Sequence, residues 1–203
     1  MISTIFSDVG GVLLSNGWDY PARRLASDKF GYNSDESEQR HTALVDDFET
    51  GRVGLDRYLD EVIFDRPRSF TREQFRDFMF AQSKPLPTMD IVVGAARAGS
   101  CLMCTLNNES LALNQHRIST FGLRRYFTCF LSSCFLGVKK PDAAIFRIAL
   151  QVTQRPAEQC LFIDDRASNV EAARQMGIKG VQCLNTEQLR AELEKNGIAL
   201  KFV

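Results

Sequence analysis

The sequence predicts an α/β protein built on a doubly wound parallel sheet, with a helical segment inserted into it. In the second half of the chain short apolar runs alternate with helical patterns, which favours a parallel sheet with right-handed crossovers. Two apolar runs end in aspartate, one at Asp8 and one at Asp164 and Asp165. Because the carboxyl ends of parallel strands meet at one edge of a sheet, we expect these distant carboxylates to converge in one crevice.

Five strands and five helices are expected in the alternating part of the chain. The strands are predicted at residues 2–7, 101–106, 128–132, 160–163 and 180–183, where apolar residues cluster. The helices are predicted at 89–98, 109–120, 143–152, 167–176 and 186–195. In the third helix, Ile145, Ala149 and Val152 recur at helical spacing and define one apolar face.

Residues 15–84 interrupt this alternation, because they contain several helical patterns and no clear strand. Thr71 and Gln74 have the spacing of a capping box, and Phe70 and Phe75 have that of a hydrophobic staple. The Lys-Pro-Leu-Pro stretch at 84–87 is typical of a connection back to the sheet. We therefore expect a core domain of residues 1–14 and 85–203 and a helical domain of residues 15–84.

Composition excludes several classes of partner. The chain of 203 residues carries 25 basic and 25 acidic side chains without a strong basic cluster, so neither nucleic acid nor a membrane surface is expected as a partner. With no signal peptide and no transmembrane run, we expect a cytoplasmic protein. The six cysteines are then expected to be buried thiols rather than disulfides.

Four short motifs follow one another in a fixed order. They are Asp8-Val-Gly-Gly-Val-Leu13, then Leu106-Asn-Asn108, then Gly137-Val-Lys-Lys-Pro-Asp142, and last Phe162-Ile-Asp-Asp165 followed by Asn169. The set resembles the motifs of the haloacid dehalogenase (HAD) superfamily, in the subfamily with a helical C1 cap. It is similar to the alpha-D-glucose-1-phosphate phosphatases and to the N-terminal phosphatase domain of soluble epoxide hydrolases. The resemblance implies a Rossmann-like core with residues 15–84 as an α-helical cap.

The resemblance also implies a role for each motif residue in phosphoryl transfer. Asp8 would be the nucleophile, and Lys140 the cation that pairs with Asp8 and with the phosphate of the substrate. The phosphoryl oxygens would be bound by Asn107, by Asn108 and by the backbone amides near Val9 and Gly10. The substrate would be a small phosphorylated metabolite.

A Mg²⁺ cofactor is implied by the same resemblance, since a carboxylate that approaches a phosphate dianion is repelled by it. Asp8, the backbone carbonyl of Gly10 and Asp165 would hold the ion, and Asp164 would reach it through water. Asn169 would orient the metal-binding carboxylates. The sequence leaves the oligomeric state open.

The chain departs from the family pattern at two motif positions. Asn107 stands where Ser or Thr is usual, although its amide NH₂ is still a hydrogen-bond donor. Gly10 stands where typical family phosphatases carry a second aspartate, the acid that protonates the leaving group and later activates water. The absence of such a group costs about 10²- to 10⁴-fold in a step that needs proton transfer.

Three functions therefore stay open at this point. The first is a Mg²⁺-dependent phosphatase. The second is a 2-haloacid dehalogenase, which also lacks the second aspartate, although the pair Asp164 and Asp165 argues against it because displacing halide needs no metal. The third is a catalytically weak member that binds a phosphometabolite or a protein. The sequence does not name the substrate; the cap residues that are candidates for contacting it are Trp18, Asp19, Tyr20, Arg23, His41 and Glu49.

Overall fold

A computed structural model describes residues 1–202 of the chain. One sheet contains five strands: β1 (Thr4–Ser7), β2 (Leu102–Asn107), β3 (Cys129–Ser132), β4 (Cys160–Asp164) and β5 (Lys179–Gln182). The strand order is β3-β2-β1-β4-β5, and every neighbouring pair is parallel. The predicted Rossmann-like parallel sheet is therefore confirmed, with each of the five predicted strands displaced by no more than a few residues.

Ten helices surround or precede this sheet within residues 1–202. They are α1 (Tyr20–Phe30), α2 (Ser34–Glu49), α3 (Leu55–Val62), α4 (Arg72–Ala81), α5 (Thr88–Ala98), α6 (Leu111–Thr120), α7 (Ser133–Leu136), α8 (Ala143–Thr153), α9 (Ala167–Gln175) and α10 (Thr186–Lys195). Helix α6 begins two residues later than predicted, because Ser110 has extended backbone angles and is its N-cap. None of these helices is both long and apolar enough to cross a membrane.

The sheet is covered by helices on both faces, which explains why the central strands β1 and β4 are buried along their whole length. Ile5 and Phe6 are neighbours in β1, yet they belong to different buried clusters, because successive side chains of a strand point to opposite faces. Helices α5 and α10 contribute to the cluster around Ile5, and α8 and α9 to the cluster around Phe6. All six cysteines are free thiols, three of them buried and three partly exposed.

Helices α1 to α4 pack around a third apolar cluster, centred on Tyr58, Phe75 and Met79. The predicted capping box at the start of α4 is confirmed: the Gln74 amide donates to Thr71 Oγ1 at 3.2 Å, and the Thr71 amide donates to Gln74 Oε1 at 2.9 Å. The predicted staple is also present, with the rings of Phe70 and Phe75 5.9 Å apart. The local sequence thus specifies how the chain enters α4.

The segments that enter and leave this helical part lie side by side. The Ser15 amide donates to the Lys84 carbonyl at 2.8 Å, and Ser15 Oγ donates to the Gln82 carbonyl at 2.6 Å. The four helices are therefore joined to the sheet through two adjacent, hydrogen-bonded stretches of backbone.

Phe75→Ala should lower the free energy of unfolding by about 3–5 kcal/mol, because it removes a ring that is 0% exposed and leaves a cavity. Urea denaturation would measure the change. Phe135→Ala is the matched control, since that ring is 48% exposed, and it should alter stability by no more than about 0.5 kcal/mol. Equal effects of the two substitutions would contradict a packed core in α1 to α4.

Candidate active site

The aspartates that end two of the strands meet at the centre of the sheet. Strands β1 and β4 are neighbours, and Ser7 pairs with Ile163, so Asp8 and Asp164 emerge side by side. The chain builds β2 and β3 on one side of β1 before it crosses to β4 and β5, which makes this edge the topological switch point. Oxygen atoms of Asp8, Asp164 and Asp165 all lie within 4.8 Å of one another.

The ammonium group of Lys140 lies between two of these carboxylates. Lys140 Nζ is 3.0 Å from Asp8 Oδ2 and 2.5 Å from Asp164 Oδ2, and the lysine is only 2% exposed. Its backbone is held by the side chain of Asn108, which donates to the Lys140 carbonyl and accepts from the Lys140 amide, both at 2.8 Å. The side chain of Asn108 therefore positions Lys140 by holding the Lys140 backbone. Asn108 also lies on the wall of the cavity described below.

Asp164 has a full set of hydrogen bonds. Besides Lys140, it accepts from the Arg166 amide at 2.8 Å and from Asn169 Nδ2, which is 3.1 Å from each of its carboxylate oxygens. The structure thus places Asn169 beside a carboxylate of the acidic cluster. With both oxygens occupied, the side chain of Asp164 is held in one orientation.

Asp165 is the opposite case. Its Oδ1 is buried and has no hydrogen-bond partner among residues 1–202. The carboxylate lies directly against Gly11, where an added Cβ would be 2.4 Å from Asp165 Oδ2. Gly11 also has φ +73°, so a side chain is disfavoured there on two grounds. The backbone approaches this carboxylate closely only because residue 11 is glycine.

The charges of the acidic cluster fit a divalent cation. Burial raises the pKa of Asp8 to about 7, and burial together with the negative charge of Asp164 raises the pKa of Asp165. The unsatisfied Asp165 oxygen is a free hard-oxygen ligand beside Asp8, and Gly10, which is predicted to supply a carbonyl ligand, is two residues from Asp8. A bound cation would supply the charge compensation that a single lysine leaves incomplete.

Two groups that are predicted to bind the phosphate have hydrogen-bond partners within the protein. Asn107 is 1% exposed and does not line the cavity; its amide donates to Asn114 Oδ1 at 3.2 Å and accepts from Ser132 Oγ at 2.8 Å. The Val9 amide donates to Asp8 Oδ1 at 2.7 Å. Asn107 is thus bonded to residues from other elements of the fold, and the Val9 amide is bonded to the residue that precedes it.

A cavity of about 260 Å³ lies beside Asp8, between the sheet edge and the helices α1 and α2. Among the predicted motif residues, its wall includes Asp8, Gly10, Asn108, Lys140 and Asn169. All six cap residues named as candidate substrate contacts also lie on it: Trp18, Asp19, Tyr20, Arg23, His41 and Glu49. The wall residues that sequence reasoning missed are Asn16, Val45, Phe48, Glu109, Ser110, Arg117 and Arg166.

Charged groups on the wall outside the Asp8 cluster are largely paired. Two hydrogen bonds of 2.8 and 2.6 Å join Arg23 to Glu38. Arg117 and Glu109, both on the wall, form an ion pair at 2.7 Å. Glu49 on the wall is paired at 2.9 Å with Lys139, which also contacts Asp46 at 2.5 Å. The upper part of the cavity therefore presents compensated charges rather than a strongly charged surface.

Of the four carboxylates on this wall, Glu109 is the one that the sequence did not single out. Burial raises its pKa to about 7, an effect larger than the opposing one of the nearby Arg117 guanidinium. The one feature of the sequence that could have pointed to Glu109 is its position immediately after Asn108. An acidic residue at the start of a helix is commonly a helix-stabilising one, so position alone did not indicate a site.

A hydrogen-bond relay favours one tautomer of His41. Trp18 Nε1 can only donate, and it donates to Tyr58 Oη at 2.9 Å, which leaves the hydroxyl hydrogen of Tyr58 free to donate to His41 Nδ1, 2.8 Å away. This arrangement favours the His41 tautomer that carries its proton on Nε2. Burial, and then the charge of Arg23, lowers the pKa of His41 to about 4, so the ring is neutral near pH 7.

The tautomer of His41 is directly measurable. Nitrogen-15 NMR of the ring should show a protonated Nε2 and an unprotonated Nδ1, without change between about pH 8 and pH 5, because the pKa lies below that window. Tyr58→Phe should remove this preference, since it deletes the donor to Nδ1. A protonated Nδ1 in the unsubstituted protein would contradict the relay, and His116, which is partly exposed, is the internal control.

Comparison with known proteins agrees with the fold and with the motifs. A model of the haloacid dehalogenase-like hydrolases matches residues 2–177. Bifunctional epoxide hydrolase 2 of Mus musculus is 28% identical over 138 residues, a match that covers 64% of this chain and 24% of that protein. This chain thus spans about a quarter of the length of that relative.

Two solved structures share the fold. A HAD family enzyme from Bacteroides thetaiotaomicron, in complex with magnesium and inorganic phosphate, superposes with a TM-score of 0.77 at 17% identity, over 90% of this chain and 94% of that one. A HAD-like family hydrolase from Porphyromonas gingivalis gives a TM-score of 0.78 at 21% identity, over 97% and 98%. Because the family model covers most of its residues, this chain belongs to the haloacid dehalogenase-like hydrolases.

Proposed function

We propose that this hydrolase is a Mg²⁺-dependent phosphatase that acts on a small phosphorylated metabolite through an aspartyl-phosphate. The observation that carries the proposal is the pairing of Asp8 with Lys140 at 3.0 Å, within a cluster of three carboxylates, Asp8 included, that are spaced to hold a metal ion. The Bacteroides thetaiotaomicron relative, crystallised with magnesium and inorganic phosphate, supports the same chemistry.

In the proposed reaction an oxygen of Asp8 attacks the phosphorus atom of the substrate. The new bond joins Asp8 to phosphorus, while the bond from phosphorus to the leaving oxygen breaks. Lys140, held against Asp8 by Asn108, carries positive charge to the incoming phosphate. Water then attacks the phosphorus and the bond from phosphorus to Asp8 breaks. Inorganic phosphate is released and the free carboxylate of Asp8 is regenerated.

Asp8, Asp165 and the Gly10 carbonyl are the proposed ligands of Mg²⁺, with Asp164 reaching it through water. Mg²⁺ bound there supplies positive charge that offsets the repulsion between a carboxylate and a phosphate dianion. The hydrogen-bond network that holds Asp164 also keeps its neighbour Asp165 at the edge of the sheet.

Substrate size follows from the cavity. A volume of about 260 Å³ is below the common range of ligand pockets, roughly 300–1,000 Å³, and suits a substrate with a small leaving group. We assign residues 15–84 the role of a cap, which contributes one wall of the cavity and excludes water, and residues 1–14 and 85–203 the role of the catalytic core.

Asp8→Asn should reduce phosphate release from an aryl phosphate by on the order of 10³-fold or more, because an amide is a poor nucleophile. Lys140→Met should have a comparable effect. Asp28→Asn is the control, since Asp28 is exposed on α1 and away from the cavity, and its rate should match that of the unsubstituted protein.

The same assay separates the other two functions. Metal-independent turnover of 2-chloropropionate without phosphatase activity would identify a dehalogenase. Saturable binding of inorganic phosphate without turnover of any ester would identify a binding protein. An Asp8→Asn variant that keeps most of its phosphatase rate would show that the nucleophile is a different residue.

Mg²⁺ should raise the melting temperature more at about pH 8 than at about pH 6. Metal binding needs ionised carboxylates, and with the pKa of Asp8 near 7 in the metal-free protein, Asp8 is mostly protonated at the lower pH and ionised at the higher one. Calorimetry at fixed Mg²⁺ would measure the shift. Asp165→Asn should remove most of it and Asp28→Asn none; equal shifts at both pH values would count against the assigned ligands.

A further inference from the structure

The space beside Gly10 is filled by two polar side chains. A Cβ added to Gly10 would lie 3.0 Å from Asn16 Oδ1 and 3.6 Å from Arg117 Nη1. The backbone of Gly10 does not have a positive φ, so what distinguishes this position is its surroundings rather than its conformation. A carboxylate at residue 10 would have to displace Asn16 or Arg117.

The guanidinium beside Gly10 holds a carboxylate of its own. Arg117 Nη1 is 2.7 Å from Glu109 Oε2. The guanidinium of Arg117 therefore lies between the Gly10 backbone and the buried carboxylate of Glu109. Arg117 is anchored at its other nitrogens, with Nε donating to Ser83 Oγ at 3.0 Å and Nη2 to the Ser15 carbonyl at 2.9 Å. The carboxylate of Glu109 is therefore held in place by an immobile partner, on the wall of the same cavity as Asp8.

The charges that face Glu109 leave it able to exchange a proton near neutral pH. Burial, the largest effect, raises the pKa of Glu109 to about 7; Arg117 of α6 lowers it, Glu49 of α2 raises it, and the Ser110 amide, which donates to Glu109 Oε1 at 3.1 Å, lowers it. Glu49 is itself paired with Lys139, and the remaining titratable neighbour is the Cys134 thiol of α7, whose pKa is raised to about 12. An acid-base group works best with a pKa near the operating pH.

Glu109 is itself ion-paired, and its burial sets it apart from Asp19 and Glu49, the other acidic side chains of this wall outside the Asp8 cluster, which are partly exposed. Asp19 caps α1 by accepting from the Ala22 amide, and Glu49 is ion-paired with Lys139. His41 is neutral, with its Nδ1 occupied by Tyr58. Asp8 is the proposed nucleophile.

We propose that Glu109 is the catalytic acid and base of this phosphatase, performing from the start of α6 the proton transfers for which residue 10 has no side chain. This inference rests on the proposed phosphatase function and adds the identity of the proton donor. As Asp8 attacks phosphorus, the carboxylic acid of Glu109 gives its proton to the departing alkoxide, which leaves as the alcohol. The carboxylate of Glu109 then takes a proton from the attacking water, and the bond between phosphorus and Asp8 breaks.

Glu109→Gln tests the assignment through leaving-group dependence. With a simple alkyl phosphate, whose alkoxide needs a proton, kcat/KM should fall by about 10²- to 10⁴-fold, while with an aryl phosphate the loss should stay below about 10-fold. Acid quench should trap more phosphoenzyme in this variant during aryl phosphate turnover, because water activation is also impaired. In the unsubstituted protein, kcat/KM for the alkyl ester should fall above about pH 7, and that for the aryl ester should not.

Ser83→Ala is the matched control, since it removes a different partner of Arg117 and leaves the Glu109 carboxylate intact. It should affect both esters equally. If Glu109→Gln also affects both esters equally, Glu109 only positions Arg117 and the proposal is wrong. If that variant does not fold, the pH profiles of the unsubstituted protein decide: identical profiles for the two esters overturn the proposal. Absence of all ester hydrolysis would instead overturn the phosphatase function itself.

Discussion

The buried ammonium of Lys140 is the charge on which the rest of the site depends. It is shared between Asp8 and Asp164 at distances of 3.0 and 2.5 Å, in surroundings that are almost closed to solvent. Carboxylates brought together in a medium of low dielectric constant repel one another, and a cation between them offsets that repulsion. Removing one partner from such a pair costs about 3–5 kcal/mol, because a buried charge is left uncompensated. Asn108 and Asn169 hold the two sides of this arrangement in place.

A second buried cation, Arg117, connects helices α1 to α4 to the edge of the sheet that carries Asp8. Its guanidinium bonds to Ser15 and Ser83, one in each of the two adjacent segments that join α1–α4 to the sheet, and to Glu109 on the cavity wall. Any movement of the insert about these segments would therefore act on the same group that orients Glu109. Gly17 is required beside it, because a Cβ there would lie 2.0 Å from Arg117 Nη2.

Much of the site was accessible from the sequence, because strand ends and motif spacing are local properties. The convergence of Asp8, Asp164 and Asp165 followed from the rule for parallel sheets, and the structure brings their oxygens within 4.8 Å. The partners of the Asn107 amide were not accessible in this way: it donates to Asn114 of α6 and accepts from Ser132 of β3, while its contact with phosphate stays a prediction. A local sequence pattern does not predict which hydrogen-bond partner a side-chain amide has after a helix and a strand have packed together.

The sequence by itself determined the α/β class, the order of strands and helices, the start of α4 and the identity of the acidic cluster. These depend on hydrophobic period, capping and turn chemistry, which act over a few residues. Only the tertiary structure decided the raised pKa of Glu109, the lowered pKa of His41 and the pairing of Arg117 with Ser15, Ser83 and Glu109. Burial and the charges of distant segments set those properties, and both exist only once the chain has folded.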